Sequence, residues 1–293
     1  MKSDTFSTRD RASELPIGVC DSGVGGLTVL RALRARMPHE QFIYLGDTAR
    51  LPYGTKSASS VQRYSLQAAN ALAQLGIKCL VVACNTASAV ALPALAQQFA
   101  PVDVIGVVEP GARAGCAVSR SGVIAVLATE GTVRGGAYQR AILELRDAAQ
   151  VHACACPLFV ALAEEGWTDG PIVEAVAHRY LDPLLAHRTQ RPDTVLLGCT
   201  HFPVLADALR NVLGGDIKIV DSAQTTAQEV ERRLAATGML RTHGSAAVRF
   251  LATDSAERFA RVGSLFLGET IAPGAVEIVD LSEAIASLHP DQA

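Results

Sequence analysis

Short apolar, β-branched runs recur along the chain, separated by longer amphipathic or Ala/Leu-rich stretches. The runs are Ile17–Cys20, Gln41–Leu45, Cys79–Ala83, Val104–Val107, Val123–Leu127, Val195–Leu197, Ile217–Val220 and Val248–Ala252. Runs that are apolar throughout, not alternating, predict strands buried on both faces, and the long spacers predict crossover helices. The expectation is an α/β fold with parallel-rich sheets. The clearest helix is the amphipathic segment Leu27–Arg36, directly after a Gly-rich turn.

One stretch of the pattern echoes another. Val81-Val82-Ala83-Cys84-Asn85-Thr86 and Leu196-Leu197-Gly198-Cys199-Thr200-His201 share a plan. Each is an apolar strand, a small residue, a Cys and two polar residues, followed by a predicted helix with a proline, Pro93 or Pro203. Ligands bind at the carboxyl ends of strands in open α/β sheets, and both cysteines stand there. Two such ends, from two sheets, can face one another across a cleft. A Cys at a helix start is biased toward thiolate, whereas a buried Cys is often only a small hydrophobe. The echo favours the reactive reading for Cys84 and Cys199. The other reading is taken for Cys20, Cys79, Cys116, Cys154 and Cys156.

Composition narrows the partners. The 293 residues are 49% hydrophobic and 19% charged, enough for one large or two moderate domains. A net charge of −3 and a pI near 6.2 give no basic footprint, so no nucleic acid is expected. No apolar run approaches the roughly 20 residues of a membrane span, and no membrane partner is expected. Met1–Glu14 is polar, without the apolar centre of a signal peptide, and is expected to be a loose tail. Seven cysteines without an export signal predict reduced thiols and a cytoplasmic protein.

Several segments are candidates for binding. In Asp21-Ser22-Gly23-Val24-Gly25-Gly26 the glycines are expected to permit positive φ and close backbone approach to a ligand. Amides at the following helix start suit a carboxylate. The spacing matches neither a phosphate loop nor a dinucleotide fingerprint. Taken alone, the segment is equally a tight turn capped by Asp21 and Ser22. Tyr53-Gly54 lies in a turn-rich loop that by itself reads as plain surface. His201 can exchange a proton near neutral pH, and a Cys/His pair alone would also suit a hydrolase. Glu164 ends a long apolar run, where a carboxylate drawn into a cleft can assist proton transfer. Glu165 fits a solvated helix end. Cys154-Ala155-Cys156 lacks the second pair that a structural metal site needs.

Taken together, these segments resemble the glutamate racemases of the aspartate/glutamate racemase superfamily. The resemblance rests on Asp21–Val29, Asp47–Gly54, Ala83–Ala87, Ala128–Val133, Cys156–Leu158, Leu197–Pro203 and Val220–Ala223, and covers about residues 16–280. Gly135-Gly136 and Ala161 depart from the family's commoner residues. The resemblance implies two similar α/β domains with the site between them. The first would be 1–107 plus 220–293, carrying Cys84, and the second 108–219, carrying Cys199. It implies interconversion of L-glutamate and D-glutamate, with no cofactor or metal, supplying D-glutamate for peptidoglycan. Cys84 would take the α-proton from the D-enantiomer and Cys199 from the L-enantiomer. Asp21 would assist Cys84, while His201 and Glu164 would assist Cys199. Substrate would be held by Asp21, Ser22, Tyr53, Gly54, Asn85, Thr86, Thr132, Thr200 and His201. A homodimer is left open.

The chemistry suits two thiols. Racemisation removes a proton from one face of Cα and returns one to the other, so two groups must flank the carbon. A pyridoxal enzyme would use a lysine Schiff base, yet none of the four lysines, Lys2, Lys56, Lys78 and Lys218, lies in a recognisable pyridoxal motif. The rivals are a racemase of another amino acid, a decarboxylase using one cysteine, a Cys/His amide hydrolase and an amino-acid-binding protein.

Overall fold

The computed structural model describes residues 12–186 and 190–281. Among the described residues ten strands form two sheets, and every strand pairing is parallel. The first sheet contains β1 (Ile17–Asp21), β2 (Gln41–Gly46), β3 (Cys79–Val82), β4 (Asp103–Gly106), β9 (Ala247–Ala252) and β10 (Val276–Ile278). Their spatial order is β10-β9-β2-β1-β3-β4. The second contains β5 (Val123–Ala128), β6 (Gln150–Ala155), β7 (Thr194–Gly198) and β8 (Lys218–Asp221), in the order β6-β5-β7-β8.

All eight apolar runs are strands to within one residue at either end. The two strands that the pattern does not predict, β6 and β10, both lie at sheet edges. Gln150–Ala155 is exposed or half-buried throughout, and Val276–Ile278 buries only Val276, so neither carries a continuous apolar run.

The helices cover both faces of each sheet. In the first, α1 (Leu27–Arg36), α10 (Ser222–Thr237) and α11 (Ala256–Leu267) contribute to one apolar layer. Helices α2 (Ala58–Gln74) and α3 (Asn85–Gln98) contribute to the other. In the second, α7 (Pro157–Glu164), α8 (Pro171–Leu185) and α9 (Ala206–Leu213) face α4 (Val108–Val118) and α6 (Ala137–Leu145) across the strands. The short α5 (Glu130–Gly135) follows β5. β8 pairs in the second sheet, but α10, which follows it directly, packs against α1 and α4.

Helix α1 spans the predicted residues, and Pro93 lies inside α3. Pro203 does not lie in an α-helix. It sits in a 3₁₀ turn, Phe202–Leu205, ahead of α9. There Phe202 N donates to Cys199 O at 3.1 Å, a three-residue closure that suits a proline lacking its own donor. Cys20, Cys79 and Cys156 are buried, but Cys116 and Cys154 are only half-buried. Among the described residues no helix is long and apolar enough to cross a membrane.

Candidate active site

The carboxyl ends of β1, β3, β5 and β7 bring the two sheets together. Asp21 ends β1, Cys84 follows β3, Thr129 follows β5 and Cys199 follows β7. Cys84 and Cys199 are each 5% exposed.

Cys84 caps α3, its Sγ accepting from Ala87 N at 3.4 Å and donating to Ser22 Oγ at 3.5 Å. The helix start does not win here. Burial, and then the Asp21 carboxylate, push the Cys84 thiol up to about 12, against the hydrogen bonds of Ser22 and Ala87. A charge on Cys199 would push it further up. Asp21 is itself buried, which raises its carboxyl above the usual range, while the His201 charge and the amides of the Ser22–Gly26 turn pull it back. Its Oδ2 accepts from Gly23 N at 3.0 Å, and its buried Oδ1 has no partner.

Cys199 Sγ lies 3.8 Å from His201 Nδ1, and His201 Nε2 lies 3.2 Å from Glu164 Oε1. Burial opposes a charged His201. The hydrogen bonds to Cys199 and Glu164, with the charges of Cys199 and Asp21, outweigh it and raise the imidazole to about 10. Glu164 is in turn held below the ordinary carboxylate range: burial works the other way, but His201 and Arg258 dominate. Glu165 is exposed, as expected of a helix end.

The Gly-rich turn works differently from the expectation. Gly23, Gly25 and Gly26 are not among the positive-φ glycines, and Gly26 has φ −61°. What these positions require is space. A Cβ on Gly25 would lie 2.4 Å from His201 Nδ1 and 2.5 Å from Thr200 Oγ1. One on Gly26 would meet the Asp21 Cβ at 2.6 Å. The turn therefore presses on the loop after β7, and Thr28 Oγ1 adds a hydrogen bond to Thr200 O at 3.1 Å.

The starts of α3 and α5 meet through three hydroxyls. Thr86 Oγ1 lies 2.9 Å from Thr129 Oγ1 and 3.1 Å from Thr132 Oγ1, and the last two are 3.0 Å apart. Two helix N-termini converging on a hydroxyl cluster suit a carboxylate. Asn85 Oδ1 accepts from Tyr138 Oη at 2.6 Å, while its Nδ2 is buried without a partner. Gly54 packs on Thr129, where a Cβ would lie 2.6 Å from the Thr129 Cβ. Tyr53 gives its hydroxyl to Asp47.

Sequence reasoning misses Thr129, Tyr138 and Arg258. Thr129 carries a legible signal, since a Thr three residues before Thr132 at a strand end is an N-cap pattern. Arg258, which donates to Glu164 Oε2 at 2.8 Å, carries none. Lys78 pairs with Glu40 at 2.6 Å, just before β3 and so at the opposite end of that strand from Cys84.

Known proteins are similar to this chain in sequence and in fold. The family described as Asp/Glu/Hydantoin racemase matches residues 27–230. The glutamate racemase of Geobacter metallireducens is 49% identical over 253 residues, covering 86% of this chain and 92% of that protein. Among solved structures, glutamate racemase isoform RacE1 of Bacillus anthracis superposes with a TM-score of 0.86 at 39% identity, covering 92% of this chain and 98% of its own. The Francisella tularensis glutamate racemase, solved in complex with D-glutamate, gives 0.85 at 33% identity, covering 92% and 99%. An aspartate racemase from Picrophilus torridus, 16% identical with a TM-score of 0.52 over 77% of this chain and 94% of its own, shares the fold alone. This chain belongs to the Asp/Glu/Hydantoin racemase family and, within it, to the glutamate racemases.

Proposed function

We propose that this protein interconverts L-glutamate and D-glutamate by proton transfer at Cα between two thiols, Cys84 and Cys199. The observation that carries the reading is the placement of the two thiols: both are buried and both stand at the carboxyl ends of strands, one in each sheet. A two-base racemase needs two such groups, one to accept a proton and one to give one.

Each thiol has its own helper. Asp21 disfavours the Cys84 thiolate and so makes it a stronger base once formed. His201, backed by Glu164, lies 3.8 Å from Cys199 Sγ, where it can exchange a proton with that thiol. Cys84 takes the proton from the D-enantiomer and Cys199 from the L-enantiomer. The unpaired Asp21 Oδ1 suits the substrate ammonium, and Asn85 Nδ2 with the threonine cluster suits a carboxylate. Ser22, the Tyr53-Gly54 loop, Thr200 and His201 complete the enclosure. An amide hydrolase would use one thiol and leave the other without a task.

We read the chain as two domains, one on each sheet. The division falls near Val107, and the return to the first domain comes at the end of β8. The D-glutamate formed would supply peptidoglycan synthesis.

The direct test follows circular dichroism of each enantiomer with purified protein after exhaustive dialysis against a chelator. Both signals should decay to zero. A need for added pyridoxal phosphate, or an unchanged signal from both enantiomers, would contradict the proposal.

A further inference from the structure

We infer that Arg258 is a positioning residue that clamps the two sheets' halves together over the site and holds the Glu164–His201–Cys199 chain in place. The inference rests on the reading of Cys199 as one of the two bases.

Arg258 belongs to α11, on the first sheet, and Glu164 to α7, on the second. The relay runs inward from solvent. Arg258 Nη2 donates to Glu164 Oε2 at 2.8 Å, Glu164 Oε1 faces His201 Nε2 at 3.2 Å, and His201 Nδ1 faces Cys199 Sγ at 3.8 Å. Side-chain exposure falls from 47% at Arg258 to 14% at Glu164 and 9% at His201. Each Glu164 oxygen thus has one partner, and the two partners come from different halves. Without Arg258, one oxygen is released and the carboxylate is free to turn away from His201.

The backbone supports this placement. Ser255, the cap of α11, has φ +50°, and it is the one non-glycine with positive φ among the described residues. Such a conformation is sterically costly and persists only where its surroundings enforce it. Ser255 Oγ accepts from Arg258 N at 3.3 Å, and Thr48 Oγ1 binds both Asp254 O at 2.7 Å and Asp254 N at 2.8 Å. The strained turn is therefore fastened to the loop after β2, with the first turn of α11 aimed across the seam.

The location fits a clamp. A cavity of about 40 Å³ lies against Val24, Leu51, Glu164 and Arg258. A second, of about 250 Å³, shares Leu51 and Glu164 with it and runs to Gly54 and Thr129. The ion pair stands at the edge of the space beside the hydroxyl cluster. Both thiols are 5% exposed, and any parting of the two halves would break this pair.

The test measures iodoacetamide alkylation of Cys84 and Cys199 in the full chain, by peptide mass, together with kcat and KM. In Arg258→Gln a partly exposed ion pair is lost, so alkylation should rise about two- to fivefold at both thiols. Its kcat should fall about tenfold, with KM changing less. Arg258→Lys should restore most of both, and Glu164→Gln, which removes the charge from the same contact on the other side, should repeat the rise. Should Arg258→Gln melt early, the Lys and Glu164→Gln variants decide. Unchanged alkylation, or a change confined to Cys199, would overturn the clamp. Alkylation does not require turnover. A wild-type protein that fails to racemise glutamate, with both thiols still opened by Arg258→Gln, would sink the functional reading and leave the clamp standing.

Discussion

His201 Nε2 lies 3.2 Å from Glu164 Oε1, on the edge of the ring away from Cys199. Burial opposes a charged imidazole, but the hydrogen bond to Cys199, and then that to Glu164, raise its titration from 6.5 to about 10. A group whose folded value is raised contributes stability that is complete below its unfolded value and lost as pH rises through its folded one. The wild type should therefore melt above His201→Asn by the widest margin near pH 6, with the margin closing as pH passes about 10. Thermal melts of both proteins across that range test this. A margin that stays constant would contradict the charged assignment.

Gly25 is the tightest contact between the turn and the second sheet's loop. An added Cβ would fall 2.4 Å from His201 Nδ1 and 2.5 Å from Thr200 Oγ1. Neither neighbour is the free end of a flexible chain. Gly25→Ala should cost about 1–3 kcal/mol of stability by overpacking. It should also lower kcat, because His201 must shift. Denaturant unfolding with steady-state kinetics reads both. A variant with wild-type stability and kcat would show that the turn does not bear on His201.

How legible this was differs by element. The strands buried on both faces announce themselves as unbroken apolar runs, so the central strands that carry Asp21, Cys84 and Cys199 were all predictable. The edge strand Gln150–Ala155 was not, because a half-exposed strand needs no such run. Among the site candidates, the two Cys segments stand out by their echo. The Gly-rich turn stands out in the sequence for positive φ and close backbone approach; the structure shows no positive φ at Gly23, Gly25 or Gly26, and the close approach is to elements distant in the chain. Arg258 was invisible for the same reason. Its significance depends on a contact with a residue 94 positions away, and nothing in its own helix marks it.

Asp21 affects both substrate and base. Asp21→Asn should lower kcat by about 10²-fold, the low end for loss of an acid–base partner. The equilibrium constant between two enantiomers in achiral solvent is one. The fall in kcat/KM must therefore be equal in the two directions, whereas kcat and KM taken singly need not change equally. Progress curves from both enantiomers read all four constants. Unchanged kcat in both directions would remove Asp21 from the mechanism.

The central claim is that each thiol serves one face of Cα. The most direct measurement is the racemisation rate of Cys84→Ala and Cys199→Ala, each from L-glutamate and from D-glutamate, with a thermal melt to confirm folding. Cys→Ser variants should retain little activity, since a hydroxyl is a far weaker base than a thiol near neutral pH. Both Ala variants should stay folded, because each loses only a small buried group. Both should lose racemisation by at least about 10³-fold in both directions. A folded Cys199→Ala or Cys84→Ala protein that racemises glutamate at the wild-type rate would contradict the account.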